Sequence, residues 1–170
     1  MDERRGPFSP EELARFAVAW NESSILRWLC FRVSFPGGQR VRVAADPVVP
    51  GQRGGKGTDA VNGGILAALF DFAIGACSVV SPPLRQSATM QLSMNFERAV
   101  RGDRVACEAT VERQTKNALF VSALIFDERD QVCARGSGLV NLGAPVTYDE
   151  WLAMLRQGTS PEDSSRSSRA

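Results

Sequence analysis

A single acidic residue, Asp71, stands near the middle of the apolar stretch AVNGGILAALFDFAIGACSVV at residues 60–80. Ionised carboxylates are costly to bury without a partner, so an acid at this position needs a reason. Burial raises the pKa of a carboxyl group towards neutrality, where the group can serve as a general base or a nucleophile. We therefore interpret Asp71 as a carboxylate that takes part in catalysis. The alternatives are a structural ion pair and a charged residue within a membrane span.

The start of the same stretch, Asn62-Gly63-Gly64, indicates where its helix begins. Asn is a favoured N-cap, and the backbone N–H groups of the first helical turn have no acceptor within the helix. Two glycines without side chains let a ligand atom reach those N–H groups at the positive end of the helix dipole. The pattern predicts an oxyanion hole made of backbone amides, and a simple cap with tight packing is the alternative.

The spacing of Gly63 and Asp71 limits how the two can act together. They are eight residues apart, which is about 12 Å along a helix. One thioester or ester carbonyl cannot contact both groups of the same chain. If both serve one site, they come from different subunits, and a two-fold dimer would carry two equivalent composite sites. An active monomer would contradict this hypothesis.

The composition of the chain excludes several other kinds of chemistry. The 170 residues include no histidine, which rules out His-based triads and His-bearing metal sites. The net charge is +1 with scattered basic residues, so nothing indicates nucleic-acid binding. The four cysteines lack metal-finger spacing, and the N-terminus lacks the apolar stretch of a signal peptide. We expect a cytoplasmic protein with no metal and no organic cofactor.

The elements that must position these residues follow from capping, periodicity and turn signals. Capping boxes predict an N-terminal helix from Ser9 and a short C-terminal helix from Thr147 that ends at Gly158. Two strands, the first at residues 26–35, precede the long apolar helix, and about four antiparallel strands follow it. This order predicts an α+β fold in which a curved antiparallel sheet covers the long helix.

One of these strands carries a further candidate. The segment TMQLSMNF at residues 89–96 alternates strictly, which predicts a strand with Thr89, Gln91, Ser93 and Asn95 on one face. The whole chain is predicted to be one domain over residues 1–158, and the polar tail at 159–170 is predicted to be disordered.

Two motifs together resemble the hotdog-fold acyl-CoA thioesterases, especially those of the phenylacetyl-CoA type. The NGG turn followed by Asp71 resembles that family's HGG turn with an acid at the same spacing, and NFERAVRGD at residues 95–103 resembles its NFLRPVRGD. The order of elements over residues 29–142 also fits. The chain departs from the family at Asn62, which stands in place of the usual His, and at Lys56, Gly75 and Ala99.

The resemblance implies a hotdog fold that hydrolyses an acyl-CoA thioester to the free acid and CoA, as a homodimer or a dimer of dimers. It implies that Asp71 is the base or nucleophile, that the Gly63 N–H holds the carbonyl oxygen beside Asn62, and that Thr89 orients water or substrate. The candidate substrate-binding residues are Gly64, Lys56, Asn95, Arg98 and Lys116. The alternatives are a non-catalytic acyl-CoA or lipid-binding hotdog protein and an interaction protein whose apolar helix only builds a dimer core.

Overall fold

The structure, a computed structural model, describes residues 8–54 and 57–157. Its helices are α1 (Pro10–Asn21), α2 (Ser24–Leu29), α3 (Gly63–Ala76) and α4 (Tyr148–Gln157), with a short 3-10 turn at Pro50–Gln52. Its strands are β1 (Arg32–Gly37), β2 (Arg40–Ala45), β3 (Arg85–Phe96), β4 (Val105–Gln114), β5 (Ala118–Phe126) and β6 (Val132–Pro145). Gly158 and the predicted disordered tail at 159–170 lie outside the described residues.

All six strands form one antiparallel sheet in the order β1-β2-β4-β5-β6-β3, so β1 and β3 are its edges. The long apolar helix α3 crosses one face and contacts β2 to β6. Its residues Leu69, Phe70, Ala73 and Ile74 are fully buried against the sheet. This architecture confirms the predicted α+β class. Among the described residues, we find no helix with the length and hydropathy that a membrane crossing requires.

Two glycines of β6 let α3 approach the sheet closely. A Cβ atom on Gly138 would lie 2.7 Å from Cγ2 of Ile74, and one on Gly136 would lie 2.8 Å from Cε1 of Phe70. Both distances are far below van der Waals contact, so a side chain at either position would push the helix off the strand. The apolar residues of α3 can fill the core because β6 has no side chains at these two positions.

We expect Gly138→Ala to lower the free energy of unfolding by about 1–3 kcal/mol, because the added methyl overpacks the contact with Ile74. Urea denaturation measures the change. Gly51→Ala is the matched control, because a Cβ there meets no atom within 4 Å, and we expect it to stay within about 0.5 kcal/mol of the unchanged protein. Equal stability of the two variants would contradict this account of the α3–β6 contact.

Both predicted capping boxes are confirmed. The Ser9 hydroxyl accepts from the Glu12 N–H at 3.2 Å, and the Ser9 N–H donates to the Glu12 carboxylate at 2.8 Å. The same reciprocal pair of bonds joins Thr147 and Glu150 at the start of α4. Each box satisfies donors that the helix itself leaves unpaired, which is why the sequence locates these two helix starts correctly.

The predicted strand at residues 26–35 is wrong in its first half. Residues Ser24–Leu29 form α2, which ends where Cys30 adopts a left-handed conformation with φ of 54°, and β1 starts only at Arg32. The short helix buries Leu26 in the core and leaves Trp28 77% exposed. A single buried side chain gives no helical periodicity to read, so tertiary packing decided the conformation.

The prediction that Thr89 shares a face of β3 with Gln91, Ser93 and Asn95 is also wrong. The strand starts at Arg85, and its pairing with β6 shifts register between Thr89 and Gln91. Such a bulge inserts an extra residue and reverses the alternation of side chains. Thr89 therefore faces α3, whereas Gln91, Ser93 and Asn95 lie on the outer face of the sheet.

Candidate active site

The first turn of α3 presents one free backbone donor on the surface. Asn62 is the N-cap, and its Oδ1 accepts a hydrogen bond of 2.8 Å from the Gly64 N–H. Its Nδ2 donates to the Gly54 carbonyl at 3.0 Å. Within the described part of the chain the Gly63 N–H has no acceptor, and both Gly63 and Gly64 are exposed. The predicted cap is confirmed, and Gly63 is the amide left to receive a ligand oxygen.

The loop that precedes α3 is held by Arg53. Its guanidinium donates to the Asp59 carbonyl at 3.0 Å and forms an ion pair of 2.7 Å with Asp103, in the turn before β4. Gly54, whose carbonyl accepts from Asn62, follows Arg53 directly in the chain. These contacts fix the acceptor of the N-cap side chain, and they thereby fix the direction in which the first turn of α3 points.

Asp71 lies about two turns further along α3. Its neighbour Phe70 is fully buried against the sheet, whereas Asp71 lies outside this buried face of the helix and is exposed in the single chain. The expectation that the chain buries this carboxylate by itself is therefore wrong. Within residues 8–54 and 57–157, no cation lies within salt-bridge distance of it. The alternative interpretation as a structural ion pair finds no partner there.

Thr89 of the edge strand β3 faces the same groove as Asp71. A Cβ atom on Gly75, one turn beyond Asp71, would lie 3.4 Å from Oγ1 of Thr89. The groove that Asp71 and Thr89 line has a volume of about 600 Å³, and Trp20 and Trp151 form part of its wall. The ring centroids of these two tryptophans are 5.6 Å apart in an edge-to-face contact. The structure thus places a carboxylate and a hydroxyl together beside an aromatic wall.

The structure does not bring Gly63 and Asp71 together within one chain. Eight residues of α3 separate them, which puts their backbones about 12 Å apart. Both lie beside β3, whose outer edge has no partner strand among the described residues and whose Met90 and Phe96 side chains are 56% and 52% exposed. Unpaired strand edges and exposed apolar side chains are features of surfaces that contact another chain.

The remaining predicted substrate-binding residues do not gather at this groove. Lys56 lies outside the described residues. Asn95 is on the outer face of β3, and Arg98, just after that strand, donates to the Gln131 side chain at 3.1 Å. Lys116 is exposed in the turn between β4 and β5.

Trp20, Arg85 and Trp151 line the groove but are not among the sequence-based candidates. Trp20 belongs to α1, Arg85 is the first residue of β3, and Trp151 belongs to α4. They come from three distant parts of the chain, and no local pattern links them. Only the tertiary arrangement of α1, α4 and β3 around the groove brings them to one place.

A six-stranded antiparallel sheet wrapped around one long helix is a hotdog fold, and solved structures agree with this assignment. A conserved protein of Pseudomonas aeruginosa is 26% identical over 72% of this chain and 96% of its own, with a TM-score of 0.65. The PaaI protein of the E. coli phenylacetic acid degradation operon is 16% identical, covers 80% and 99% of the two chains, and has a TM-score of 0.68. A Streptococcus mutans protein bound to acetyl-CoA is 17% identical over 69% and 91%, with a TM-score of 0.60.

A family model described as the thioesterase superfamily matches residues 59–134. The matched segment runs from just before α3 into the start of β6, so it contains Asn62, Gly63, Asp71 and Thr89. Curated proteins gave no match. The chain is thus a hotdog protein with similarity to thioesterases over the part that carries the candidate site.

Proposed function

We propose that this protein is a member of the thioesterase superfamily that hydrolyses an acyl-CoA thioester to the free acid and CoA. The observation that carries the proposal is the exposed Asp71 carboxylate beside Thr89, on a helix that also presents the free Gly63 N–H. The superfamily match over residues 59–134 supports the reaction. The similarity to a protein bound to acetyl-CoA supports the substrate class.

The proposed site lies between two copies of the chain, with Asp71 from one copy and Gly63 from the other. Two α3 helices that run antiparallel about a two-fold axis bring each acid opposite the first helical turn of its partner. A partner seated on α3 and the edge of β3 also covers Asp71. It thereby supplies the exclusion of water that the single chain lacks. A homodimer or a dimer of dimers satisfies this arrangement.

In the proposed reaction, Asp71 takes a proton from a water molecule that Thr89 orients, and the water oxygen attacks the thioester carbon. The carbonyl oxygen becomes an oxyanion that accepts a hydrogen bond from the Gly63 N–H, worth on the order of 3 kcal/mol. The C–S bond then breaks, and the CoA thiolate receives the proton that Asp71 accepted. Direct attack by the Asp71 carboxylate, followed by hydrolysis of the anhydride, is the alternative route.

We assign Asn62 a positioning role. Its side-chain oxygen is engaged by the Gly64 N–H, and its amide group donates to the Gly54 carbonyl. The side chain thus aims the first turn of α3, and the free Gly63 N–H with it, without contacting the substrate. Gly64 supports this cap, because a Cβ there would lie 3.1 Å from the Asn62 oxygen.

The residues that bind the substrate away from the thioester are proposed from the sequence. Arg98 and Lys116 are exposed cations that suit the CoA phosphates, and Lys56 and Asn95 are retained as further candidates. The four cysteines of the chain are free thiols, three of them buried, and this supports the proposed cytoplasmic setting.

We expect purified protein to release free thiol from at least one acyl-CoA in a panel of short, medium, long and aromatic acyl groups, including phenylacetyl-CoA. A thiol-reactive dye follows the release, and size-exclusion chromatography with light scattering gives the oligomeric state of the active species.

The replacement of the family's His by Asn62 favours one second candidate, a non-catalytic acyl-CoA-binding protein. Tight binding without hydrolysis would support that candidate, and activity in a monomer would contradict the composite site.

A further inference from the structure

The groove beside Asp71 contains a second charge for which the described chain supplies no counter-charge. Arg85, the first residue of β3, is partly buried in this groove, and its Nη1 donates to the Lys116 carbonyl at 3.1 Å. Its Nε is buried with no hydrogen-bond acceptor, and no carboxylate of residues 8–54 or 57–157 lies within salt-bridge distance. The Nε has no exposed surface that a ligand could contact, so an anion in the groove would pair with the Nη groups, of which Nη1 already holds the one carbonyl partner.

Arg85 and Asp71 lie at opposite ends of the groove. Beyond Asp71, α3 continues towards Ser78, which accepts a 2.9 Å hydrogen bond from the Ser87 hydroxyl, and β3 runs in the opposite direction along it. The strand therefore leads from Thr89, which lies beside Gly75 one turn beyond Asp71, back to Arg85. Four residues of β-strand span about 13 Å, so the guanidinium is well removed from the reacting end.

The walls between the two ends are mainly apolar, with Gln86 as a polar neighbour of Met154. Trp20, Trp151, Met154 and Leu155 line the groove, and the two serine hydroxyls on its floor already bond to each other. Arg85 and Asp71 are the only charged side chains among the described lining residues. The groove thus offers a reacting end, an apolar middle and a single cation at its far end.

We propose that Arg85 is a specificity-determining residue that binds a carboxylate at the end of the acyl group, so that the substrate is a CoA monothioester of a medium-chain dicarboxylic acid. The inference rests on the proposed function for its reacting end. The carboxylate pairs with the guanidinium, the methylene chain packs along Trp20 and Trp151, and the thioester lies at Asp71. The charge of Asp71 disfavours the reversed orientation, because it repels a carboxylate at that end.

The phosphates of CoA share the anionic chemistry of a carboxylate, but the groove suits them less. They belong to the leaving group, at the end of a long pantetheine arm, and they carry several charges. A single cation behind an apolar wall matches a monoanion better, because multiply charged groups need several partners when they leave water.

The test compares matched acyl chains that differ only in the terminal group: suberyl-CoA against octanoyl-CoA, and adipyl-CoA against hexanoyl-CoA. We expect kcat/KM of the unchanged protein to favour the dicarboxylic member by about tenfold, the size of one hydrogen-bonded charge pair. Arg85→Gln should remove this preference and leave octanoyl-CoA within about twofold of its original rate. Arg85→Lys, which keeps the charge, should restore part of the preference and serves with thermal melting as the control for folding.

Two outcomes would overturn the inference. One is equal kcat/KM for the paired substrates. The other is an equal loss for both in Arg85→Gln that disappears with acyl-pantetheine thioesters, which lack the phosphates, since that result assigns Arg85 to CoA itself. Calorimetric binding to Asp71→Asn separates this inference from the proposed function. If no thioester is hydrolysed but suberyl-CoA binds more tightly than octanoyl-CoA, and Arg85→Gln removes the difference, the carboxylate site stands and the hydrolase fails.

Discussion

We expect Asp71→Asn to lower kcat for the best acyl-CoA about a thousandfold, the range that follows from removal of a general base, and to change acyl-CoA affinity by no more than about twofold. The amide has the same shape as the carboxylate, but it can neither accept the water proton nor attack the thioester carbon. Because Asp71 is exposed in the single chain and has no ion-pair partner among the described residues, the substitution breaks no structural contact there. Thiol release at saturating substrate measures kcat, and calorimetry measures the affinity.

The matched control for this variant is Asp149→Asn. Asp149 is also an exposed helical aspartate, but it lies in the first turn of α4 and lines a different groove. We expect its rate to equal that of the unchanged protein. Equal rates for Asp71→Asn and the unchanged protein would remove Asp71 from the mechanism, whatever the control shows.

We expect Gly63→Pro to lower kcat by about a hundredfold to a thousandfold, because proline removes the one N–H that we assign to the oxyanion. The position tolerates proline, since it is the first residue of α3, where proline is favoured. Asn62 before it has ψ of 139°, the extended conformation that a following proline requires. The helix should therefore stay intact while its free donor is lost. Steady-state kinetics measure the effect, and circular dichroism checks the helix.

Gly63→Ala is the control that separates the loss of the N–H from the addition of atoms. Its Cβ would meet only Cε2 of Phe96, at 3.9 Å, which is an ordinary contact. We expect the alanine variant to retain most of the activity. If the proline variant is as active as the alanine variant, the Gly63 amide is not an oxyanion donor.

Gly63→Pro, combined with Asp71→Asn, also tests whether the site is shared between subunits. We expect Asp71→Asn and Gly63→Pro each to have little activity alone, but a mixed dimer contains one composite site with both an intact Asp71 and an intact Gly63. Random reassembly makes half of the dimers mixed, each with one of two sites restored, so about a quarter of the original activity should return. No recovery in verified mixed dimers would mean that both groups act within one chain or that one of them does not act.

Local rules were sufficient for much of the architecture. The capping boxes at Ser9 and Thr147, the N-cap at Asn62 and the α+β class were all predicted correctly, because each depends on residues close together in the chain. The errors arise where residues far apart in the chain decide the local conformation. The first part of the strand predicted at residues 26–35 is helix α2 instead. The short apolar run indicated an extended strand, but the helix buries Leu26 in the core.

The sequence by itself determined the chemistry that α3 can offer. The helix rise sets the distance between Gly63 and Asp71 from their numbers alone, and the absence of histidine leaves acid–base work to a carboxylate or another side chain. These are properties of the covalent chain and of one helix, so they need no long-range information.

Tertiary structure alone decided what surrounds that chemistry. The bulge in β3 turns Thr89 towards α3, and the packing of α1, α4 and β3 assembles Trp20, Trp151 and Arg85 around the groove. It also decided that Asp71 faces outward rather than into the core. Strand register and the covered side of a helix depend on residues far apart in the chain, and no local spacing encodes them.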